Sequence, residues 1–198
     1  MTQHPTPDER RPANRGPKAA AGNRAALVTA AREVYAEHGL DAPLSLIARR
    51  AGVGQGVLYR HFPDREAMAA AILEENVVEI ERAAAAEGAT LAGVLGVLTW
   101  HQAQSAAFIG LLHAPGAFGR FHSHGFSRSL GERVERALRE SLPEGHRLGA
   151  QDARDLMLAV AMVSGAVTGA TAEEREQRAL DAWRLLGIEV GPVRPFEG

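Results

Sequence analysis

The sequence predicts an all-α protein, and three observations support this class. Apolar residues recur at intervals of three and four through most of the chain, as they do in helices with one buried face. No segment alternates apolar and polar residues between turn residues, as a half-buried strand would. Glycines and prolines separate the periodic segments. At 198 residues the chain is long enough to bury a core.

The first two helices are predicted over residues 24–38 and 43–51. Asn23 is the expected N-cap of the first helix, and Gly39 and Gly52 are the expected stops, since glycine adopts the left-handed conformation that ends many helices. Each helix carries one apolar stripe with helical spacing. The two stripes are Leu27, Ala31, Val34 and Tyr35, then Leu44, Ile47, Ala48 and Ala51.

A very short third helix over residues 55–62 and a long fourth helix ending near residue 86 follow. In the third helix Leu58 and Phe62 lie four residues apart and can both face the first two helices. Asp64 is the expected cap of the fourth helix.

The rest of the chain keeps the helical period. Further helices are predicted near residues 91–113, 125–141, 151–169 and 172–187, and the expected total for the fold is about nine. We therefore expect a three-helix N-terminal domain, joined by a long fourth helix to a C-terminal helical bundle. The predicted division is residues 1–20 as a disordered basic arm, 21–66 as the first domain and 67–198 as the second.

Two helices joined by a tight glycine turn form a helix-turn-helix, and the residue types in the second helix suit duplex DNA. If Leu58 and Phe62 are buried, Gln55, Tyr59 and His61 face outward. A glutamine can pair with N6 and N7 of adenine, whereas tyrosine and histidine can reach phosphate oxygens. The alternative is an ordinary helical hairpin with amphipathic surface residues.

The stretch IARRAGVGQGVLYRHFPDREAM closely resembles the DNA-binding domain of the TetR family of transcriptional regulators. The resemblance covers roughly residues 23–75, and the helix count of the remainder fits the ligand-binding and dimerisation domain of that family. It implies a base contact for Gln55 and phosphate contacts for Tyr59, His61 and Arg65. The full set of expected DNA-contacting residues is Arg24, Gln55, Gly56, Val57, Tyr59, Arg60, His61 and Arg65.

The sequence departs from the family pattern at three places. Ala42 and Pro43 stand where a Ser or Thr usually caps the second helix, and Pro is acceptable in a first turn but provides no cap. Gly54 replaces a common capping Ser. Val57 replaces a Thr that often touches DNA, and it can contact a thymine methyl group instead.

Charge is unevenly distributed along the chain. Residues 1–65 hold ten Lys or Arg against six Asp or Glu, whereas residues 66–198 hold twelve against eighteen. This asymmetry suits a front part that touches a polyanion. The predicted arm carries Arg10, Arg11, Arg15 and Lys18. Two readings stay open for it: a segment that lies in the DNA minor groove, or a solubilising tail.

Several classes of protein are disfavoured by the sequence. There is no cysteine, which excludes disulfides and thiolate chemistry. The polar N-terminus is not a signal peptide, and the uncharged segment 88–119 has too many polar residues for a membrane span, so we expect a cytoplasmic protein with no membrane contact. No catalytic motif is found, so we expect no enzyme activity and no cofactor.

The uncharged segment is the candidate wall of an effector pocket. Its apolar and aromatic side chains are interleaved with polar groups that would need partners if buried, which is typical of a ligand site. Plain core packing is the alternative. Charged groups would enter only from Glu79, Arg120, Arg128 or Asp155. The candidate pocket residues are Trp100, His101, Gln104, Phe108, Leu111, Leu112, Phe118, Phe121, Met157 and Ala161.

A homodimer is expected through the last two helices. Ala161, Gly165 and Gly169, four residues apart, would form a smooth strip against a partner helix, although Gly169 can also simply end its helix. Ala179 and Trp183 supply apolar area on the final helix.

Four histidines raise the question of a metal site: His101, His113, His122 and His124. Neutral imidazoles bind zinc, nickel or copper, and His122 and His124 could bind as a pair. Neither a helical His pair nor a carboxylate at ligand spacing accompanies them, so we expect no metal.

The sequence therefore predicts a ligand-responsive regulator that binds double-stranded DNA. The expected form is a homodimeric repressor that binds a palindromic operator and is released by a small hydrophobic or aromatic effector. The alternative is a small-molecule-binding helical dimer that no longer binds DNA. Mutation of Gln55 and Tyr59 distinguishes the two.

Overall fold

A computed structural model describes residues 17–105, 124–146 and 153–198. These ranges contain eight helices and no strand, which confirms the all-α prediction. None of the helices in these ranges is long and apolar enough to cross a membrane. In chain order the helices are α1 (Pro17–His38), α2 (Leu44–Arg50), α3 (Gln55–His61), α4 (Arg65–Ala85), α5 (Leu91–Gln104), α6 (His124–Glu140), α7 (Ala153–Ala166) and α8 (Ala172–Leu185).

The first three helices pack against one another around an apolar centre. The predicted stripe of α1 is buried, and so are Leu44 and Ile47 of α2. Leu58 and Phe62 complete this centre from the short third helix. Because α2 and α3 have only seven residues each, this packing, rather than helix propensity, must hold them in place.

The long helix α4 connects the two parts of the chain. It begins at the predicted cap, where Asp64 Oδ1 accepts a hydrogen bond from the amide of Ala67 at 2.8 Å. It packs against α1 on the N-terminal side and against α5 and α6 further on. Arg133 of α6 joins Glu74 and Glu81 of α4 in a forked ion pair.

The last helix packs inside the C-terminal bundle. α8 begins at a capping box in which Thr171 and Glu174 each accept a hydrogen bond from the other's backbone amide. Its Trp183 is buried and donates from Nε1 to Thr99 Oγ1 of α5 at 2.9 Å. The chain after α8 then lies against α5, where the backbone carbonyl of Pro192 leaves no room for a side chain at Gly96.

Two predicted boundaries are wrong. α1 begins at Pro17, a residue favoured in a first helical turn, so Asn23 lies inside the helix and residues 17–20 are not part of a disordered arm. α5 ends at Gln104, with Ser105 as its C-cap, rather than continuing to residue 113. The rest of the predicted arm, residues 1–16, lies outside the described residues.

Candidate nucleic-acid interface and internal cavity

The turn between α2 and α3 is a complete glycine-terminated helix end. Gly52 has a φ of 68°, a conformation in which a side chain would be strained. The amide of Gly52 donates to the carbonyl of Arg49 at 3.2 Å, and that of Val53 donates to the carbonyl of Ala48 at 3.0 Å, which is the Schellman pattern. This turn sets the direction in which α3 leaves α2.

The outer face of α3 carries the residues predicted to contact DNA. Gln55 and Arg60 are exposed, and the Tyr59 side chain is 51% exposed. His61 is half-buried, with its ring centroid 6.2 Å from that of Phe62. The remaining two predicted residues of α3 are also accessible, since Gly56 is exposed and Val57 half-buried. Leu58, directly before Tyr59, is almost fully buried. Of these two neighbours, Leu58 therefore packs in the core and Tyr59 faces outward.

A groove between α2 and α3 adds two residues that the sequence reasoning missed. Ser45 and Arg49 of α2 line it together with Gln55. Arg49 is exposed, and no described residue forms an ion pair with its guanidinium. The neighbouring Arg50 is different, because it is bound to Glu33 and Glu37 of α1 at 3.0 and 2.8 Å. We call the exposed side chains of Ser45, Arg49, Gln55, Tyr59 and Arg60 the reading surface.

Two further predicted contacts, Arg65 and Arg24, are engaged within the chain. Arg65 donates to the carbonyl of Asp41 at 2.8 Å, ahead of α2. Arg24 pairs with Glu75 of α4 at 3.1 Å and lies over the Phe62 ring at 5.6 Å from its centroid. Both side chains are nearly half exposed, so a phosphate can still approach them.

A cavity of about 250 Å³ lies between α4, α5, α6 and α7. Its wall is mainly apolar, with four polar side chains among the lining residues of the described chain. No Lys, Arg, Asp or Glu is among them. The lining residues are Leu73, Asn76, Val77, Ile80, Leu98, His101, Gln102, Leu130, Gly131, Val134, Met157, Val160, Ala161 and Ser164. We call this space the ligand cavity.

The polar side chains of the ligand cavity come from three helices. Asn76 of α4 donates to Ser105 Oγ at 3.1 Å. Gln102 of α5 donates to Ser164 Oγ of α7 at 2.7 Å. His101 of α5 lies with Nε2 3.1 Å from a carboxylate oxygen of Glu79, and burial lowers the pKa of its ring although Glu79 opposes that shift.

These groups are linked to α1 through Arg32. Its guanidinium donates to Asn76 Oδ1 at 2.7 Å and lies 3.7 Å from Glu79. The His101 ring 3.1 Å away and, to a smaller extent, the nearby Arg32 hold the pKa of Glu79 below its usual value. Arg32 of α1 therefore contacts Asn76 and Glu79 of α4. Glu79 in turn contacts α5, and Asn76 contacts Ser105, the C-cap of α5.

The predicted pocket residues are only partly brought together. His101, Met157 and Ala161 line the ligand cavity. Trp100 and Gln104 are not among its lining residues, because α5 lines the cavity with Leu98, His101 and Gln102 instead. Gln104 is exposed at the end of the helix. Asn76, Gln102 and Ser164 were missed. Five predicted residues lie outside the described part of the chain: Phe108, Leu111, Leu112, Phe118 and Phe121.

The predicted dimer surface needs correction at three positions. Ala179 and Trp183 are buried in the chain's own core, so they have no side-chain surface to offer a partner. Gly169 follows the end of α7 and has a φ of 143°, so it belongs to the turn before α8 and does not extend a helical strip. Ala161 and Gly165 are exposed on α7. The large apolar side chains exposed on α7 and α8 are Leu158, Met162 and Leu185.

In the described part of the chain, no group of three His, Cys, Asp or Glu is placed to hold a metal ion. His113 and His122, and the side chain of His124, lie outside what the structure describes.

Comparison with known proteins agrees with this geometry. Residues 27–72 match the sequence profile of the bacterial regulatory proteins of the tetR family. The A-factor receptor protein of Streptomyces griseus is 43% identical over 56 residues, which cover 28% of this chain and 20% of that protein. The match thus spans about a fifth of the length of this relative.

Two solved structures extend the likeness to most of the chain. A TetR transcriptional regulator from Streptomyces coelicolor is 28% identical, with 84% of this chain and 98% of that chain covered and a TM-score of 0.58. The TetR transcription regulatory protein from Mycobacterium vanbaalenii is 29% identical, with 87% and 98% covered and a TM-score of 0.51.

The fold and the exposed face of α3 define a helix-turn-helix protein of the DNA-binding, transcription-regulating class. Within that class, residues 27–72 match the tetR family of bacterial regulatory proteins, and most of the chain has the fold of two TetR regulators of known structure.

Proposed function

We propose that the chain is a ligand-responsive repressor that binds a palindromic operator as a homodimer and is released by a small, neutral, hydrophobic or aromatic effector. It acts in the cytoplasm as a regulator without catalytic activity. The observation that carries the proposal is the continuous contact from the ligand cavity, through Asn76 and Glu79, to Arg32 in the helix that supports the reading surface.

The reading surface supports the DNA-binding part of the proposal. In this proposal Gln55, exposed at the start of α3, pairs with a base edge, while the exposed Tyr59 and Arg49 hold phosphates. Arg24, Arg65 and His61 lie beside them and would add phosphate contacts once their exposed sides meet the duplex.

The exposed face of α7 supports the homodimer. Leu158 and Met162, four residues apart, are more than half exposed, and Gly165 lies one turn further on. A second copy that covers this face would remove apolar side chains from water and place two reading surfaces on one duplex. Recognition helices of such dimers lie about 34–36 Å apart, one DNA turn, which makes the operator palindromic.

The ligand cavity supports the response. An effector that contacts Asn76 or His101 changes the groups that hold Arg32 and thereby shifts α4 relative to α1. It can do so only through its different affinity for the two arrangements. In this mechanism the effector favours the arrangement in which the spacing of the two recognition helices no longer fits the operator.

The experiment is selection of bound sequences from random duplex DNA with the full chain. We expect a two-fold symmetric consensus from the wild-type protein, and its loss in a double variant with Gln55→Ala and Tyr59→Phe. The matched control is Gln177→Ala, because Gln177 is an exposed glutamine on α8, far along the chain from the reading surface. No enrichment at low salt by the wild-type protein would contradict the proposal.

The alternative, a small-molecule-binding dimer without DNA affinity, is favoured by one observation. Neither α2 nor α3 has a side-chain hydrogen bond at its N-cap, because Pro43 and Gly54 occupy those positions. Caps of this kind contribute about 0.5–2 kcal/mol. In this alternative the double variant has no effect on any binding that the wild type shows.

A further inference from the structure

We propose that the ligand cavity selects a neutral, mainly apolar molecule that carries a hydroxyl or N–H group, and that Gln102 Oε1 accepts the hydrogen bond from that group. The inference rests on the proposed ligand-binding function and adds the chemical class of the ligand.

The hydrogen bonds around Gln102 fix which end of its amide is free. Ser164 Oγ donates its single proton to the carbonyl of Val160 at 2.8 Å. The hydroxyl oxygen can therefore only accept from Gln102, so Nε2 of the amide points at it, 2.7 Å away. Oε1 is then the free end, and it has no hydrogen-bond partner among the described residues.

The position of this oxygen makes a ligand the natural partner. Gln102 is buried and its side chain lines the ligand cavity; Oε1 itself is covered, so the side chain must turn for a bound molecule to reach this oxygen. A buried carbonyl oxygen without a partner is unfavourable, since it has lost its hydrogen bonds to water. A donor group on a bound molecule would satisfy it.

A second acceptor lies on the adjacent residue. His101 Nε2 lies 3.1 Å from a carboxylate oxygen of Glu79, which can only accept, so we assign the ring proton to that nitrogen. Nδ1 is then unprotonated and has no partner in the described part of the chain. Two neighbouring residues that line the cavity thus each carry a buried acceptor without a partner, which suits a ligand with one or two donors.

The same groups select against a carboxylate. A carboxylate brings only acceptors to Gln102 Oε1 and His101 Nδ1, and Glu79 stands directly behind the imidazole. No basic side chain is among the described lining residues to neutralise it. A charged ligand would therefore lose its hydration without gaining a counter-ion.

The experiment uses three matched series of probes: 4-alkylphenols, the corresponding 4-alkylanisoles and the corresponding 4-alkylbenzoates, each with alkyl chains of graded length. Phenol and anisole differ by replacement of the donor hydrogen with a methyl group. We expect titration calorimetry on the full wild-type chain to give at least about tenfold tighter binding for the best phenol than for its anisole or benzoate, as one good hydrogen bond does.

Two variants assign this preference to one atom. Gln102→Leu and Gln102→Met both remove the acceptor oxygen and put an apolar side chain of similar size in its place. If one of the two variants fails to fold, the other is used. We expect either variant to bind the anisole as well as the phenol. Gln104→Leu is the matched control, because Gln104 lies two residues further along α5 but is exposed. It should keep the wild-type preference for phenol.

Three results overturn the proposal: no binding of any probe by the wild type, equal binding of phenol and anisole by the wild type, or an unchanged phenol preference in the Gln102 variants. Each of these leaves the DNA selection experiment intact. Conversely, phenol-selective binding by a chain that enriches no DNA supports the ligand class and contradicts the repressor. The two proposals thus fail by different measurements.

Discussion

At the reading surface, Gln55 and Tyr59 point outward from a centre of apolar side chains and the buried Tyr35, whereas in the ligand cavity Asn76 and Gln102 are themselves buried within a mainly apolar wall. The first arrangement leaves polar groups in water until DNA replaces the water. The second removes polar groups from water, which is unfavourable unless each group finds a specific hydrogen-bond partner. The comparison shows why the two sites respond to different kinds of partner.

The two sites also differ in how the chain assembles them. The residues of the reading surface come from 16 consecutive positions of one helix pair, from Ser45 to Arg60. The polar residues of the cavity come from three helices, α4, α5 and α7, and span 89 positions, from Asn76 to Ser164. Local turn chemistry builds the first site, and long-range packing builds the second.

The largest expected effect is at the boundary between core and contact in α3. Leu58→Ala removes a buried side chain, so we expect the free energy of unfolding, from denaturant titration, to fall by about 2–5 kcal/mol. Tyr59→Ala, one residue further, is the matched control and should change stability by only about 0.5 kcal/mol while weakening DNA binding. Equal losses of stability in the two variants would show that the outward orientation of Tyr59 is wrong.

The next effect concerns the contact that joins the two sites. Arg32→Met removes the hydrogen bond to Asn76 and the ion pair with Glu79. In the wild type we expect an effector to change DNA affinity by about 5–150-fold, the usual range of such coupling, and in the variant by much less. Operator binding with and without 4-alkylphenol measures this by fluorescence anisotropy.

Arg139→Met is the control for that experiment, since Arg139 forms only an exposed ion pair with Glu135 within α6. It should keep the wild-type coupling. If Arg32→Met keeps it as well, the contact from the cavity to α1 does not transmit the response.

A smaller effect separates two adjacent arginines. Arg49→Ala should weaken DNA binding equally for all sequences and reduce the slope of log affinity against log salt by about one unit, because one phosphate contact is lost. Arg50→Ala should leave that slope unchanged, since Arg50 is bound to Glu33 and Glu37. The reverse result would exclude the groove between α2 and α3 from the interface.

The smallest effect is a pH dependence at the cavity. Burial lowers the pKa of His101, while Glu79 and Arg32 face the ring. As the pH falls below about 6.5, His101 is therefore protonated in the unfolded chain before it is protonated in the folded chain. The folded state loses stability over this range, until the pH is low enough to protonate the folded ring as well. One proton limits the slope to about 1.4 kcal/mol per pH unit.

His101→Gln should therefore flatten the pH dependence of the unfolding free energy between about pH 6.5 and 5. The variant should still lose stability at more acidic pH, below the usual pKa of a glutamate, because Glu79 has a lowered pKa in the folded chain. An unchanged slope between pH 6.5 and 5 in His101→Gln would show that the ring is not the titrating group.

The sequence by itself determined the helical class and the helix-turn-helix, because both depend on neighbouring residues. The Gly52 turn, the Asp64 cap and the four-residue spacing of Leu58 and Phe62 are local features, and each lies where it was predicted. The predicted cap at Asn23 was wrong, because the local signal for an earlier start, Pro17 followed by Lys and three alanines, was overlooked.

Only the tertiary structure decided which polar residues meet in the cavity and which aromatic residue is core. Asn76 stands at an apolar position between Ile72 and Ile80, a signal of burial that names no partner. Trp183 was expected at a dimer surface, but its Nε1 finds Thr99 on another helix of the same chain. Helical spacing determines which residues lie on the same face of a helix. Which other helix covers that face depends on how helices distant in sequence pack together.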